Sequence, residues 1–187
     1  MTDWPKQRMP APDPSTYTAP QKEVAEAIAA GPRGSVRGPL AVWLNRPGLA
    51  AKAQELGQYC RYDSSLEPHL SELAILVMAR TYSAEFEWFA HKPIALKAGI
   101  SQDIVEAIRI GQDPDFADPK ESVVYRFARS ALDTRQVPDA LYAEAETVLG
   151  RDRLVDLVGV LGYYSLISLT LNIFRVSPPA DARKEFE

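Results

Sequence analysis

Two consecutive stretches of the chain decide its fold, SELAILVMARTY at residues 71–82 and SAEFEWFAHKPIALKAG at residues 83–99. The first is almost entirely apolar, which predicts a helix that is buried on all sides. A carboxylate on such a helix, as Glu72 is, is costly to bury unless it is paired or functional. The second stretch places Glu87 and His91 one helical turn apart, on one face. The two stretches therefore predict a pair of core helices that carries chemistry.

Outward from this pair, the chain is typical of helices that are separated by proline and glycine. Proline suits the first turn of a helix, and glycine suits the residue just past its end. No segment alternates between apolar and polar residues for long enough to indicate a strand. The expected fold class is therefore all-α, with about eight helices in a single domain. Helices are predicted at residues 21–30, 40–44, 47–62, 68–82, 83–99, 101–111, 119–133, 138–150 and 152–176.

The composition excludes several classes of protein. The 187 residues are 46% hydrophobic and 25% charged, which is ordinary for one globular domain. The net charge of −4, without a dense cluster of Lys and Arg, argues against a nucleic-acid partner. A single cysteine, Cys60, excludes an intramolecular disulfide and a CxxC motif. The first residues lack the apolar run of a signal peptide, so we expect a cytoplasmic protein.

Composition also predicts the boundaries of the domain. Residues 1–20 form a proline-rich arm, because proline fixes φ and removes an amide donor. Such an arm is either a frayed tail or a segment that lies on a neighbouring subunit. Residues 21–180 form the helical domain, and residues 181–187 form a C-terminal tail.

The last predicted helix contains LVDLVGVLGYYSLISLTLNIF at residues 154–174, which is long enough to cross a membrane. Asp156, Asn172 and several Gly, Ser and Thr residues weaken that interpretation. A helix that is apolar all round is usually buried in a soluble chain, but one domain of this size cannot cover it alone. We therefore expect no membrane partner, and a buried helix that also contributes to the interface of a homo-oligomer.

Glu72, Glu87 and His91 together could form an acid/base set. A carboxylate next to an imidazole orients the ring and raises its basicity, and a carboxyl group in an apolar pocket can hold a proton near neutral pH. Two alternatives stay open from spacing alone. Glu87 and His91 could be a surface pair, with Glu72 in an exposed first turn. The three could also be metal ligands, an oxygen-rich set with one imidazole.

The core from Glu72 to Gly99 resembles the carboxymuconolactone decarboxylase-like family, which includes alkyl hydroperoxidase D. Flanking patterns around Pro39 and Tyr163 extend the resemblance over residues 20–180. The segments that carry it are Glu72 in SELAIL, Ala79-Arg80, Glu87-Trp88-x-x-His91, Ala98-Gly99-Ile100-Ser101, Gly38-Pro39-Leu40 with Pro47, and Gly162-Tyr163-Tyr164 with Leu171-Asn172.

The resemblance implies an all-α fold of the alkyl hydroperoxidase D type, with the active site around the helix pair. Members form dimers, trimers or hexamers. The peroxidase branch of the family uses a CxxC motif, whose cysteine positions fall on Ala84 and Glu87 in this chain. Without two thiols, no dithiol can reduce a peroxide and close to a disulfide. Glu87 in place of the second cysteine resembles the decarboxylase branch, which uses neither cofactor nor metal.

In that branch the substrate is a small carboxylated lactone or a related unsaturated acid. His91 is then the main proton donor and acceptor, Glu87 orients and tunes it, and Glu72 is a second acid or a polarising group. Arginine is expected to bind the substrate carboxylate, since its planar fork matches a carboxylate. A catalytically silent small-molecule-binding or assembly protein of the same fold is the alternative. The expected substrate-binding residues are Arg33, Arg37, Arg80, Trp88 and Tyr164.

Overall fold

The computed structural model describes residues 2–186, and over this range the chain is helical with no strand. The all-α single-domain prediction is therefore confirmed. A short 3-10 turn at Pro14–Thr16 precedes the first helix, and a π-helical turn at Tyr59–Asp63 follows the third. The α-helices are α1 (Ala19–Ala30), α2 (Pro39–Trp43), α3 (Pro47–Gln58), α4 (Pro68–Thr81), α5 (Glu85–Ala98), α6 (Gln102–Ile110), α7 (Pro119–Thr134), α8 (Asp139–Leu149) and α9 (Arg151–Phe174).

Helix α4 is the centre of the bundle. Its residues 70–79 are buried without interruption. It packs against α5, α7 and α9, so every side of the helix meets another helix. Burial on all sides explains why this stretch lacks the polar face of a surface helix.

A tight turn joins α4 to α5 and places the two helices side by side. Ser83, the first residue of the predicted helix 83–99, instead adopts a positive φ of 48° within this turn. Ala84 is the residue at the N-cap, and α5 begins at Glu85. Gly99 ends α5 in the left-handed conformation, as its position predicts. The hairpin brings the face with Glu87 against α4.

The third helix is shorter than predicted. The α-helix ends at Gln58, and the chain continues for five residues as a π-helical turn, Tyr59–Asp63. In a π turn the hydrogen bonds run from residue i to i+5, so side chains after the turn are rotated relative to a regular helix. Apolar periodicity does not reveal such a local change. The turn directs side chains that the sequence analysis did not consider.

Helix α9 is long and apolar enough to cross a membrane by length and composition, a test that core helices also pass. Within the structure, 61% of the most apolar segment of α9 is buried. Its other side leaves apolar residues exposed at helical spacing, which we call the α9 stripe. The members of the α9 stripe are Val155, Val158, Leu166, Leu169 and Ile173.

The proline-rich arm lies along the C-terminal segment of the same chain. The Thr2 hydroxyl donates to the carbonyl oxygen of Ala182 at 2.7 Å, and the Arg8 amide donates to that of Phe174 at 2.9 Å. The C-terminal tail is also packed, because Phe186 is buried in the hydrophobic core. Both ends of the described chain therefore meet behind α5.

Candidate active site

Three acid/base side chains meet between α4 and α5. Glu72 lies on α4, and Glu87 and His91 lie one turn apart on α5. Glu72 Oε2 is 2.7 Å from His91 Nδ1, and Glu87 Oε1 is 3.0 Å from His91 Nε2. All three residues are at most 5% exposed. The surface-pair alternative is therefore wrong, and the three form one buried chain of hydrogen bonds.

This chain requires two shared protons. Each ring nitrogen of His91 faces a carboxylate oxygen, so each contact needs one proton between its two atoms. The protons can reside on the ring, which is then an imidazolium between two carboxylates. Alternatively, one carboxyl group is protonated and the ring is neutral. In both states the three groups together carry one negative charge. The two states interconvert when one proton moves across one hydrogen bond.

The surroundings favour the charged ring. Burial alone would lower the pKa of His91, but the charge of Glu87 and the hydrogen bonds that the ring donates to both carboxylates raise it to about 9. Tyr164 packs edge-on against this ring, with centroids 5.3 Å apart and planes at 88°. Burial and the charge of Glu87 raise the pKa of Tyr164 well above its ordinary value. Tyr164 therefore keeps its proton and offers a hydroxyl group beside His91.

A cavity of about 530 Å³ lies beside this chain of hydrogen bonds. Glu87 and His91 line it, whereas Glu72 lies behind the ring and contacts only the Nδ1 edge. Pro93, inside α5, is also part of the wall. Apolar and aromatic residues supply most of the remaining surface, as in small-molecule sites. These include Pro39, Leu40, Phe86, Phe89, Ile94 and Ile167.

Arg33 and Arg37 line the cavity, as the sequence predicts, and Arg61 joins them from the π turn. Among residues 2–186, none of the three pairs with a carboxylate. Since Glu72, Glu87 and His91 carry only one negative charge, the cavity has an excess of positive charge. Such a site attracts an anionic ligand.

Arg33 is held at the cavity wall by its neighbours. Its Nη2 donates to the Tyr163 hydroxyl at 3.4 Å, and its Nε is buried without a hydrogen-bond partner. Gly57 makes this arrangement possible, because a Cβ atom there would lie 2.0 Å from the Tyr163 hydroxyl and 2.6 Å from Arg33 Nη2. A glycine at this position thus leaves room for both groups.

Two of the expected substrate-binding residues lie outside the cavity wall. Trp88 is fully buried and packs edge-on against Phe186, with ring centroids 5.2 Å apart. The Arg80 guanidinium lies 5.4 Å from the centroid of the same Phe186 ring. Both residues thus hold the C-terminal tail. Helical spacing placed them near the acid/base residues but did not show which face each occupies.

Sequence reasoning missed Arg61 and Tyr62, which reach the cavity because the π turn redirects them. It named Tyr164 but not Tyr163 as a site residue, whereas Tyr163 also lines the cavity and contacts Arg33. The glycine-rich segment that supplied Arg33 and Arg37 gave a usable signal. No comparable signal marks Arg61, since the sequence around it is typical of an ordinary helix end.

The arrangement of the acid/base residues does not fit the three-ligand metal site that the sequence left open. Glu72 and Glu87 contact opposite nitrogens of the His91 ring. An ion bound at either nitrogen would therefore face only one of the two carboxylates.

A second group of side chains offers metal-ligating atoms within 4.8 Å of one another: His69, Asp118 and Glu121. These residues are partly exposed and lie at the N-termini of α4 and α7. Asp118 caps α7 by accepting from the Lys120 amide at 2.8 Å. Carboxylates are favoured at helix N-termini without any metal, so capping accounts for this group.

The fold and the site define a class of all-α proteins with a buried carboxylate–imidazole chain on a central helix pair. Residues 47–130, from the start of α3 into α7, match the model of the carboxymuconolactone decarboxylase family. Over this stretch, which carries Glu72, Glu87 and His91, the chain is similar to that family. No curated protein matches the chain.

Solved structures share the fold over nearly the whole chain. An uncharacterized peroxidase-related protein from Ralstonia eutropha JMP134, with an alkyl hydroperoxidase D core, is 12% identical with a TM-score of 0.74, covering 95% of this chain and 94% of that one. A similar protein from Silicibacter sp. TM1040 is 14% identical with a TM-score of 0.73, covering 97% and 96%. The debrominase Bmp8, in complex with 2,3,4-tribromopyrrole, is 12% identical with a TM-score of 0.74, covering 95% of each chain. At these identities the likeness shows the fold alone.

Proposed function

We propose that the protein is a cofactor-free acid/base enzyme that acts on a small carboxylated lactone or a related unsaturated acid, in the manner of carboxymuconolactone decarboxylase. The observation that carries the proposal is the buried Glu72–His91–Glu87 chain beside a cavity lined by three arginines that pair with no carboxylate among residues 2–186. The match of residues 47–130 to the carboxymuconolactone decarboxylase family supports the same reaction class.

Binding in this proposal depends on charge and size. A guanidinium group binds a carboxylate through two parallel hydrogen bonds, and Arg33, Arg37 and Arg61 are available for this contact. The apolar wall around Phe86 and Ile167 would contact the carbon skeleton of the substrate. A cavity of about 530 Å³ has the volume of a small-molecule site.

The reaction itself would break the bond between the carboxylate carbon and the ring or chain. The electron pair of that bond passes into the conjugated carbonyl system as carbon dioxide leaves, which gives an enolate-like anion. His91 Nε2 passes its proton to the Glu87 carboxylate, and the protonated Glu87 then donates this proton to carbon. Glu72 keeps the opposite nitrogen hydrogen-bonded during this exchange. The proton is finally replaced from water.

This proposal divides the roles differently from the sequence-based hypothesis. Glu87 and His91 both line the cavity and are 3.0 Å apart, so they act as one donor unit. Glu72 does not reach the cavity. We therefore assign to Glu72 the orientation of the ring, and to Glu87 the contact with substrate that the sequence gave to His91.

The test uses proton transfer and carbon dioxide release together. The purified protein is incubated in deuterium oxide with small unsaturated acids and carboxylated lactones, and products are followed by mass spectrometry. We expect deuterium in the product of the wild type and no turnover in Glu72→Gln, Glu87→Gln and His91→Ala, each with a native circular-dichroism spectrum. Turnover retained by all three variants would exclude the proposed mechanism.

A catalytically silent binding or assembly protein remains the alternative function. A cavity filled by side chains would favour it, whereas this cavity is open beside the acid/base residues. Binding of an acid without deuterium incorporation or carbon dioxide release, across the whole substrate panel, would support the alternative.

A further inference from the structure

The π-helical turn at Tyr59–Asp63 carries Arg61 into the cavity. Contacts from outside the turn hold the geometry of the turn. A π turn has poorer hydrogen-bond geometry than an α-helix and is usually found where the surrounding structure maintains it, often at functional sites. In this protein the turn packs against α9, and one side chain of that helix supplies hydrogen bonds to it. Asp156 contacts the turn at its beginning and just beyond its end.

Asp156 holds these two points with three hydrogen bonds. Its Oδ1 accepts from the Tyr59 hydroxyl at 2.8 Å, and its Oδ2 accepts from both the amide and the hydroxyl of Ser65 at 2.6 Å. Tyr59 begins the π turn, and Ser65 lies two residues past its last residue. Asp156 is only 8% exposed. The carboxylate therefore fixes the length and the direction of the segment between its two contacts.

The charge of Asp156 is satisfied by these contacts. Burial would raise its pKa, but the hydrogen bonds from Ser65 and Tyr59 outweigh this effect and lower the pKa below its ordinary value. Asp156 is thus an ionised carboxylate that is satisfied by the groups that donate to it. It does not pair with Arg61, so the positive charge of Arg61 stays uncompensated.

Arg61 has the surroundings of an anion-binding group. Its guanidinium carbon lies 5.2 Å from the centroid of the Tyr62 ring, which supports a planar cation without neutralising it. No carboxylate among residues 2–186 pairs with it. Its charge is also felt at the Tyr164 hydroxyl, next to His91. Arg61 is therefore positioned near the acid/base residues and open to a ligand.

We infer that Arg61 determines the charge specificity of the cavity by binding the carboxylate of the substrate, and that Asp156 is a positioning residue that acts through Arg61. The inference rests on the proposed function, in which the substrate is a carboxylic acid. It assigns a role to the π turn, which presents Arg61 to the ligand. It also assigns a role to a buried carboxylate that takes no part in proton transfer.

The test measures binding and needs no turnover. The probes are 2-furoate and its neutral isostere 2-furamide, titrated calorimetrically into the full-length protein. We expect the wild type to prefer the carboxylate, and Arg61→Gln to lose about tenfold or more in 2-furoate affinity with 2-furamide unchanged, since the variant lacks one charge-assisted contact. Arg61→Lys should retain part of the preference. Arg46→Gln, an exposed arginine outside the cavity, is the matched control and should bind as the wild type does.

A double-mutant cycle separates positioning from general damage. Asp156→Asn should weaken 2-furoate binding in the wild-type background and have no further effect in the Arg61→Gln background, because both changes remove the same contact. Tyr59→Phe removes only the hydrogen bond to Oδ1 and is the milder variant if Asp156→Asn folds poorly. Equal losses for furoate and furamide would show a merely structural role for Asp156 and overturn that part of the inference.

Two other results would overturn the assignment of Arg61. One is a wild type with no preference for 2-furoate over 2-furamide. The other is an Arg61→Gln variant that keeps the preference while Arg37→Gln loses it. The proposed reaction is tested separately by deuterium incorporation in Glu87→Gln. Failure of that reaction would leave the binding preference intact, and failure of the binding test would leave the acid/base chain intact.

Discussion

Helix α5 has two faces that carry similar residues and use them differently. The cavity face carries Glu87 and His91, whose polar atoms bind each other and Glu72. The tail face carries Glu85, whose carboxylate accepts from the backbone amides of Glu185 and Phe186 at 3.0 and 2.9 Å. Glu85 and Glu87 are two residues apart. One holds the chain terminus and the other lines an open cavity.

What covers each face accounts for this difference. On the tail face, Trp88 packs against Phe186, and Lys92 is paired with Glu185 at 2.9 Å, so the C-terminal tail covers this face. On the cavity face, about 530 Å³ is left unfilled beside the buried acid/base residues. Residue type alone therefore does not separate a structural carboxylate from a chemical one. Substitutions that distinguish the two faces test this interpretation.

The largest expected effect comes from removing the charge between two buried carboxylates. His91→Ala leaves Glu72 and Glu87 buried without a partner, and breaking a buried pair in this way costs about 3–5 kcal/mol. The neighbouring Lys92→Ala breaks only a partly exposed ion pair on the tail face, so we expect a loss of about 0–1 kcal/mol. Urea denaturation at pH 7 measures both. Similar losses for the two variants would show that the faces do not differ energetically.

The pH dependence of stability sharpens the same comparison. The folded protein raises the pKa of His91 to about 9, above the ordinary value of 6.5. Its stabilising contribution is therefore complete below pH 6.5 and is lost as the pH rises through 9. The free energy of unfolding of the wild type, relative to that of His91→Gln, should fall by about 3 kcal/mol across this pH window. The advantage over Glu85→Gln on the tail face should stay constant, and a parallel fall in both would contradict the prediction.

On the tail face, Phe186→Ala should destabilise without changing the cavity. The variant loses the edge-on contact with Trp88 and the contact with Arg80. We expect a loss of about 1.5–3 kcal/mol, the value of burying one phenylalanine. Hydrogen exchange should show the tail released from α5, while calorimetry shows unchanged 2-furoate affinity. A loss of 2-furoate binding would show that the tail face also controls the cavity.

The helices could be predicted from the sequence because buried segments and helix ends have characteristic residues. The apolar stretch of α4 and Gly99 after α5 were sufficient to predict the helix pair. The spacing of Glu87 and His91 placed both on one face. The third member, Glu72, came from the cost of burying a carboxylate and from the family resemblance. The meeting of all three residues is a property of how α4 and α5 pack, which the structure supplies.

The sequence could not predict features that depend on small rotations or on distant partners. Arg80 and Trp88 lie close to the acid/base residues along the chain, yet each faces Phe186, which is remote in sequence. Arg61 reaches the cavity through a π turn that Asp156 maintains from α9. No periodicity marks either case, because local spacing does not record which element packs against which face.

The α9 stripe predicts an intermolecular contact, whereas both faces of α5 act within one chain. Apolar residues repeat along the exposed side of α9 at helical spacing, and we expect a second copy of the chain to cover them. Leu169→Glu should reduce the molecular mass measured by light scattering, with a change in chain stability within about 0.5 kcal/mol. Ile110→Glu, at an exposed apolar residue of α6, is the matched control and should leave the mass unchanged. A wild type that is monomeric at all concentrations would contradict the expectation.

The smallest effect is expected at Cys60, the single thiol of the chain. The resemblance of the sequence to the peroxidase branch implies that the two cysteines of a thiol peroxidase would fall on Ala84 and Glu87 in this chain. Cys60 lies instead at the π turn, where it is buried, and burial together with the charge of Asp156 raises its pKa to about 11. Very little of it is a thiolate at pH 7, and the thiolate is the nucleophile. Cys60→Ser should therefore leave peroxide consumption equal to that of the wild type, measured with a ferrous-oxidation assay at matched protein concentrations. A drop in peroxide consumption in this variant would assign thiol chemistry to a residue outside the cavity wall. The division of α5 into a chemical and a structural face would then no longer account for the reactivity of the protein.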